Sequence, residues 1–491
     1  MMNLKVLGLQ FASKCTILLD LEELLQTPVF CGKVHLTVDR IEHLIEKLND
    51  EVSFVLEFPY IDKHYRDSYY CYHAAKFEDL ARDCIRVHLF EGDIKNTKQL
   101  FSKSKPVEKK YLGFFIIRPL ARFPLGRSLI SPKALKDHNF VCCLTKGRVS
   151  LLGIDLTVYG FPHVAQDAET HSCAESSLWS IFEYFSAKYP QYNPHLPSQI
   201  VNDLTDFSIH RLLPSKGLTV PELIKCLQSN GHACLIYHKD ESKDKFSPLI
   251  QIYIESGIPL LLALTEQGAG HAVLAIGHEM APDYHVLEKQ IWRDISFFPK
   301  KLILIDDNMP PYQIVDPAAP TKHYPNASLQ KMTIQSFIVP LHRHMHLDAE
   351  RAFSLVSSIL DDKNVGLEAA GDKWLSRLFL TGSRSFKRAL LNDELLNAKL
   401  KMLLVFMAYP RFIWVCELYK AGAFTKRICS GLLILDATGG NSLDSVLWYA
   451  VGNKRMVHDG SAWIENRCIQ PAFVMETYQN NLKGEWNKWA S

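Results

Sequence analysis

AQDAETHSCAESSLWSIFEYF, residues 165–185, carries a polar run into an apolar pattern at Cys173. Leu178, Ile181, Phe182 and Phe185 fall at i, i+3, i+4 and i+7, the spacing of one face of an α-helix. This predicts a helix with Cys173 at or beside its N-terminus, Ser172 or Thr170 as N-cap, and Glu175 or Ser176 completing the first turn. Unpaired backbone N–H groups and the positive end of the helix dipole stabilise a thiolate at such a place. The competing reading is a thiol packed as a small hydrophobe, the commoner fate of a cysteine.

A nucleophilic thiol works with an imidazole, and His271 stands out among the 20 histidines. In SGIPLLLALTEQGAGHAVLAIGHE, residues 256–279, a Gly-rich turn separates two apolar strands and His271 opens the second. A titratable group in a buried strand needs a partner. Gly268 and Gly270 leave room beside it for another chain. His278, at the far end of the strand, reads as an exposed or loop residue. KLILIDDNMPPY, residues 301–312, supplies acceptors that could orient the imidazole. It is an apolar strand ending in Asp306, Asp307 and Asn308, and a solvated turn is the bland alternative.

The totals set the frame. A chain of 491 residues has room for about three domains. Its composition, 47% apolar and 22% charged, is that of a globular protein, and its net charge of +2 provides no field that would draw nucleic acid or an anionic membrane. The most apolar stretch, MLLVFMAY at 402–409, is too short to span a bilayer, and no secretory leader is read at the N-terminus. Twelve cysteines without a CxxC pair suggest neither a disulfide framework nor a zinc site, so a cytoplasmic location is expected and no cofactor or metal is assigned.

Residues 1–160 read as a mixed α and β region for substrate or partner recognition. RIEHLIEKLND is read as a helix, SFVLEF and VSLLGIDLTVYGF as strands, and 95–110 as an exposed lysine-rich loop. Residues 161–340 place helices first and strands later, with TVPELIKCLQSNG and SPLIQIYIESG helical and HACLIYH, IPLLLALT, HAVLAIGHE, KLILIDDN and YQIVDP extended. Residues 341–491 form a third α/β region opened by the helix HLDAERAFSLVSSILDD, with no motif that translates into chemistry. GLLILDATGGNSLDS at 431–445 lacks the lysine of a phosphate-binding loop. Arg118, Arg122 and Arg127 are read as interface ion pairs in preference to a site for an acidic ligand. His171 is read as a loop residue and Trp179 as core.

With these residues in place, 165–320 resembles the papain-like cysteine peptidases, above all the peptidases that process double-glycine leaders of bacteriocins. The shared features are Gln166 ahead of the cysteine, CAESSLW opening the central helix, GIPLLLAL, GHAVLAIGH, and LILIDDN closing the site. Gln166 stands seven residues before Cys173, one more than is usual in those families, and Ala174-Glu175 replaces their Gly-Pro or Gly-Ser. The resemblance implies an α+β fold, a papain-like domain with Cys173 on its N-terminal helix and the His and Asp on an antiparallel sheet. It implies Cys173 as nucleophile, His271 as base and acid, Asp307 as the orienting acid ahead of Asp306 and Asn308, and Gln166 as an oxyanion donor. The activity implied is cleavage of a peptide or isopeptide bond in a protein substrate through a thioester. The same residues would serve a deamidase or transglutaminase, and a non-catalytic protein-binding scaffold is the reading from another class. The partner is a protein or peptide, with oligomeric state left open.

Overall fold

The structure is a computed structural model of the chain and describes residues 8–27, 39–102, 107–266, 268–279, 284, 290–325, 329–362, 367, 372–440, 442–458, 463–466 and 472–484. Positions 103–106 of the lysine-rich loop and residues 1–7 of the N-terminal stretch lie outside the described residues.

The fold is mixed α and β, built on three large sheets in which nearly every pairing is antiparallel. The first runs, in spatial order, Gly8–Ala12, Val52–Tyr60, Cys84–Glu91, Tyr111–Ile117, Leu125–Ile130, Ile154–Val164 and Thr145–Leu151. VSLLGIDLTVYGF, expected as one strand, is thus parts of two: the chain reverses at Leu152–Gly153, and Val149 pairs with Leu156. An uninterrupted apolar pattern cannot reveal a reversal when both arms bury alternate residues on the same face.

The second sheet carries the candidate site. Its strands are Phe140–Cys142 (β1), His232–His238 (β2), Leu260–Glu266 (β3), Ala269–Glu279 (β4), Leu302–Ile305 (β5), Gln313–Val315 (β6), Thr333–His342 (β7) and Lys483–Gly484 (β8), in spatial order β6-β5-β4-β3-β7-β2. β1 and β8 add to it through β4. β1 approaches so closely that a Cβ on Gly277 would collide with the Val141 carbonyl, so only glycine fits there. Residues 140–142 and residues 483–484, near the C-terminus, therefore complete this central sheet. The third sheet begins with Trp292–Asp294, which lies parallel to Trp374–Gly382, and continues through Phe412–Lys420 and Gly431–Asp436 to Trp463–Asn466. One apolar cluster extends from Ala12 to Leu482 across all three.

Three helices position the site: Asp39–Lys47 (α1), Cys173–Lys188 (α2) and Phe246–Glu255 (α3). Ser172 is the N-cap of α2 in extended conformation, and both its backbone N–H and its hydroxyl donate to the Glu175 carboxylate, at 3.1 and 2.6 Å. The sequence shows one apolar stripe on α2, yet Glu175, Ser176, Ser177 and Ser180 are buried as well. The serines are small enough to pack on all sides, and Ser180 returns its hydroxyl to the Ser176 carbonyl. α2 is consequently a central helix, enclosed rather than amphipathic at the surface.

The helices expected at 219–231 and 346–362 form as Val220–Ser229 and Ala349–Leu360, the second capped by the Asp348 carboxylate. No helix among the described residues is long and apolar enough to cross a membrane.

Candidate active site

Cys173 opens α2, half-buried, where the first-turn N–H groups are exposed to whatever sits above it. Ser177 reaches from the same helix to the Ala272 carbonyl at 3.5 Å and ties α2 to β4, next to His271. β3 and β4 form a hairpin in which Leu264 faces His271. Gly268 turns the hairpin with φ +87°, a conformation that suits glycine, and the space beside Gly270 is open.

His271 Nε2 lies 3.1 Å from Asp306 Oδ1. The Tyr324 hydroxyl donates to Asp306 Oδ2 and sits 3.1 Å from the same ring nitrogen. The Cys173 thiol lies near enough to the ring to favour its charged form. Burial alone would push the imidazole down, but the Asp306 charge and its hydrogen bond, the Cys173 thiol and the Asp307 charge outweigh it and hold His271 well above its ordinary 6.5. For Asp306, burial pushes up while His271 and Tyr324 pull down, and the carboxyl ends below its ordinary range.

The acid within hydrogen-bonding distance of His271 is Asp306, where the resemblance to the papain-like pattern put Asp307 first. Register supplies the reason. Leu274 pairs with Ile305, so residue 306 falls opposite Val273, on the face of β4 that also carries His271. Asp307 belongs to the turn that follows, and its Oδ1 stays 3.9 Å from His271 Nε2. Burial and the neighbouring Asp306 charge push the Asp307 carboxyl up to about 7. Neither of its oxygens has a hydrogen-bond donor, although the residue is only 4% exposed.

Asn308 has a different task. Its backbone N–H donates to Asp306 Oδ1 at 2.9 Å, and its side-chain oxygen accepts from Arg40 Nη2 at 3.0 Å and from the Gln166 amide. Gln166 thus stands at the site with one N–H committed to Asn308, which leaves the second for another acceptor. Arg40, from α1, also donates to the Asp307 backbone carbonyl at 3.3 Å. Arg118 is fully buried and donates to the carbonyls of Phe123, Leu125, Ala165 and Gln166, so it clamps the segment ahead of Cys173 instead of closing an interface by an ion pair. Arg127 pairs with Asp62 in the expected manner, and Arg122 is exposed.

His171 lies in the loop before α2 but is buried, bonded to Thr170 Oγ1 at 2.8 Å and near the Ala165 carbonyl. Trp179 is core. His278, expected to be exposed, is 0% exposed and lies 2.9 Å from Glu255 Oε1. Its partner comes from α3, which a single-strand reading does not see.

Tyr324 and Arg40 were not found from the sequence. Tyr324 sits in a loop with no periodicity, and Arg40 is 267 residues from Asp307. One donor atom each from His271, Asp306 and Asp307 falls within 4.8 Å of the others, a grouping able to hold a cation. Compared with known proteins, the chain matches no family model and no curated sequence.

Proposed function

We propose that the protein is a papain-like thiol hydrolase that cleaves a peptide or isopeptide bond in a protein substrate. The observation that carries this reading is Cys173 at the N-terminus of an enclosed helix that is tied to the strand of His271, whose Nε2 lies 3.1 Å from Asp306 Oδ1. Cys173 Sγ attacks the substrate carbonyl carbon, and the protonated His271 gives its proton to the departing amine, leaving a thioester. Water then attacks the thioester, His271 takes one of its protons, and the acid leaves as the thiol is restored. Asp306 holds the ring and stabilises its charged form, with Tyr324 fixing the carboxylate. The Cys173 backbone N–H and the uncommitted N–H of Gln166 are the oxyanion donors, each worth about 2.7–4 kcal/mol in such sites.

A thiol-directed electrophile followed by mass spectrometry tests the assignment. Cys173 is expected to label well ahead of the other eleven cysteines, and His271→Ala is expected to remove that preference. Equal labelling of all twelve would end the reading.

A further inference from the structure

The Asp307 carboxylate takes no part in the chemistry just described. It is buried, aimed at His271 and without a donor on either oxygen, while Arg40 spends its guanidinium on the Asp307 backbone and on Asn308. Two adjacent buried carboxylates face a single imidazole and one of them accepts no hydrogen bond, so its oxygens are open to a proton or a cation.

We propose that His271, Asp306 and Asp307 form a binding site for a divalent cation of the zinc class, seated between Nε2 and the two carboxylates. Zinc takes imidazole nitrogen and carboxylate oxygen at about 2.0–2.2 Å in tetrahedral geometry, so neighbouring ligand atoms lie about 3.4 Å apart. Nε2 stands 3.1 Å from Asp306 Oδ1 and 3.9 Å from Asp307 Oδ1, on either side of that spacing. The three donor atoms lie within 4.8 Å of one another, so the carboxylates draw in to seat the ion, and the Tyr324 hydroxyl or a water takes the fourth position. The nitrogen donor favours zinc over magnesium or calcium.

If the thiol hydrolase reading holds, the bound ion is an off-switch. With Nε2 on the metal, the ring's one remaining proton sits on Nδ1, so the imidazole no longer exchanges protons with Cys173 and the leaving amine. Binding itself does not depend on that reading.

Metal-free full-length protein titrated with zinc chloride in a calorimeter tests the site, with cobalt(II) as spectroscopic reporter. The expected result is one site per chain that survives Cys173→Ala and weakens more than ~100-fold in Asp307→Asn, beyond the 10–100-fold typical of losing an outer partner. Cobalt in this site should show ligand-field bands without a thiolate charge-transfer band. Equal affinity in Asp307→Asn, loss of the site in Cys173→Ala, or no such site at all overturns the proposal. Should Asp307→Asn fail to fold, His271→Ala carries the same test. Electrophile labelling of Cys173 in metal-free protein reads the thiol chemistry separately, so either assignment can fail without the other.

Discussion

His271 and His278 lie seven residues apart on the same strand, each facing a buried carboxylate, and the two clusters are built to opposite ends. Around His278 every carboxylate oxygen has a partner. Glu255 Oε1 takes His278 and the Lys300 ammonium, and Glu255 Oε2 takes Arg377 at 2.8 Å. Arg377 also donates to Glu417 Oε2 at 2.9 Å, and Glu417 Oε1 accepts from the Tyr478 backbone at 2.7 Å. This closed network joins α3 to the third sheet. Around His271 the acids are incompletely partnered, a thiol is adjacent, and the hairpin turn is open. Buried carboxylates with every oxygen partnered serve the fold, whereas a buried carboxylate with oxygens to spare beside a reactive group marks a site.

The contrast breaks most visibly on exchange of the two rings for alanine. His271→Ala should slow Cys173 labelling by ~10²–10⁴-fold with little change in melting temperature. His278→Ala should leave the labelling rate of folded protein unchanged and lower stability. The reverse pattern would reassign the site.

Next in size, Arg377→Met strands Glu255 and Glu417 without their shared cation, and denaturant unfolding should show a loss of about 3–5 kcal/mol. Labelling of the folded protein should be unaffected.

Acid sharpens the same comparison. Burial pushes Glu255 up, but Arg377, His278 and Lys300 outweigh it and hold its carboxyl well below 4.5. Its contribution is therefore complete above 4.5 and lost as the pH falls through the folded value. The melting-temperature gap between wild type and Glu255→Gln should narrow on acidification; a gap that stays constant would remove Glu255 ionisation from the explanation. His271, held above 6.5, contributes with the opposite sign, present below 6.5 and lost as the pH rises through its folded value.

The smallest effect expected is for Tyr324→Phe, which removes one hydrogen bond to Asp306 worth about 0.5–1.5 kcal/mol. A several-fold slower labelling of Cys173 would register it, and an unchanged rate would make Tyr324 a packing residue.

Much of this arrangement was legible because it is local. The period of Leu178, Ile181, Phe182 and Phe185 announces a helix behind Cys173, and the capping residues Ser172 and Glu175 lie within one turn of its start. The glycine-rich turn announces a hairpin whose second strand opens near His271. The enclosed character of α2 was hidden by its serines, which read as polar but pack as small residues. Tyr324 and Arg40 carry no local pattern, since each matters only through a contact with a residue far along the chain.

The sequence by itself determined which segments become the helix of Cys173 and the strands of His271 and Asp306, because hydrogen bonding and side-chain period act over a few residues. Only the tertiary structure decided which acid serves the imidazole. The pairing of Leu274 with Ile305 turns Asp306 toward His271, and a shift of one residue in that register would present the other face of the strand.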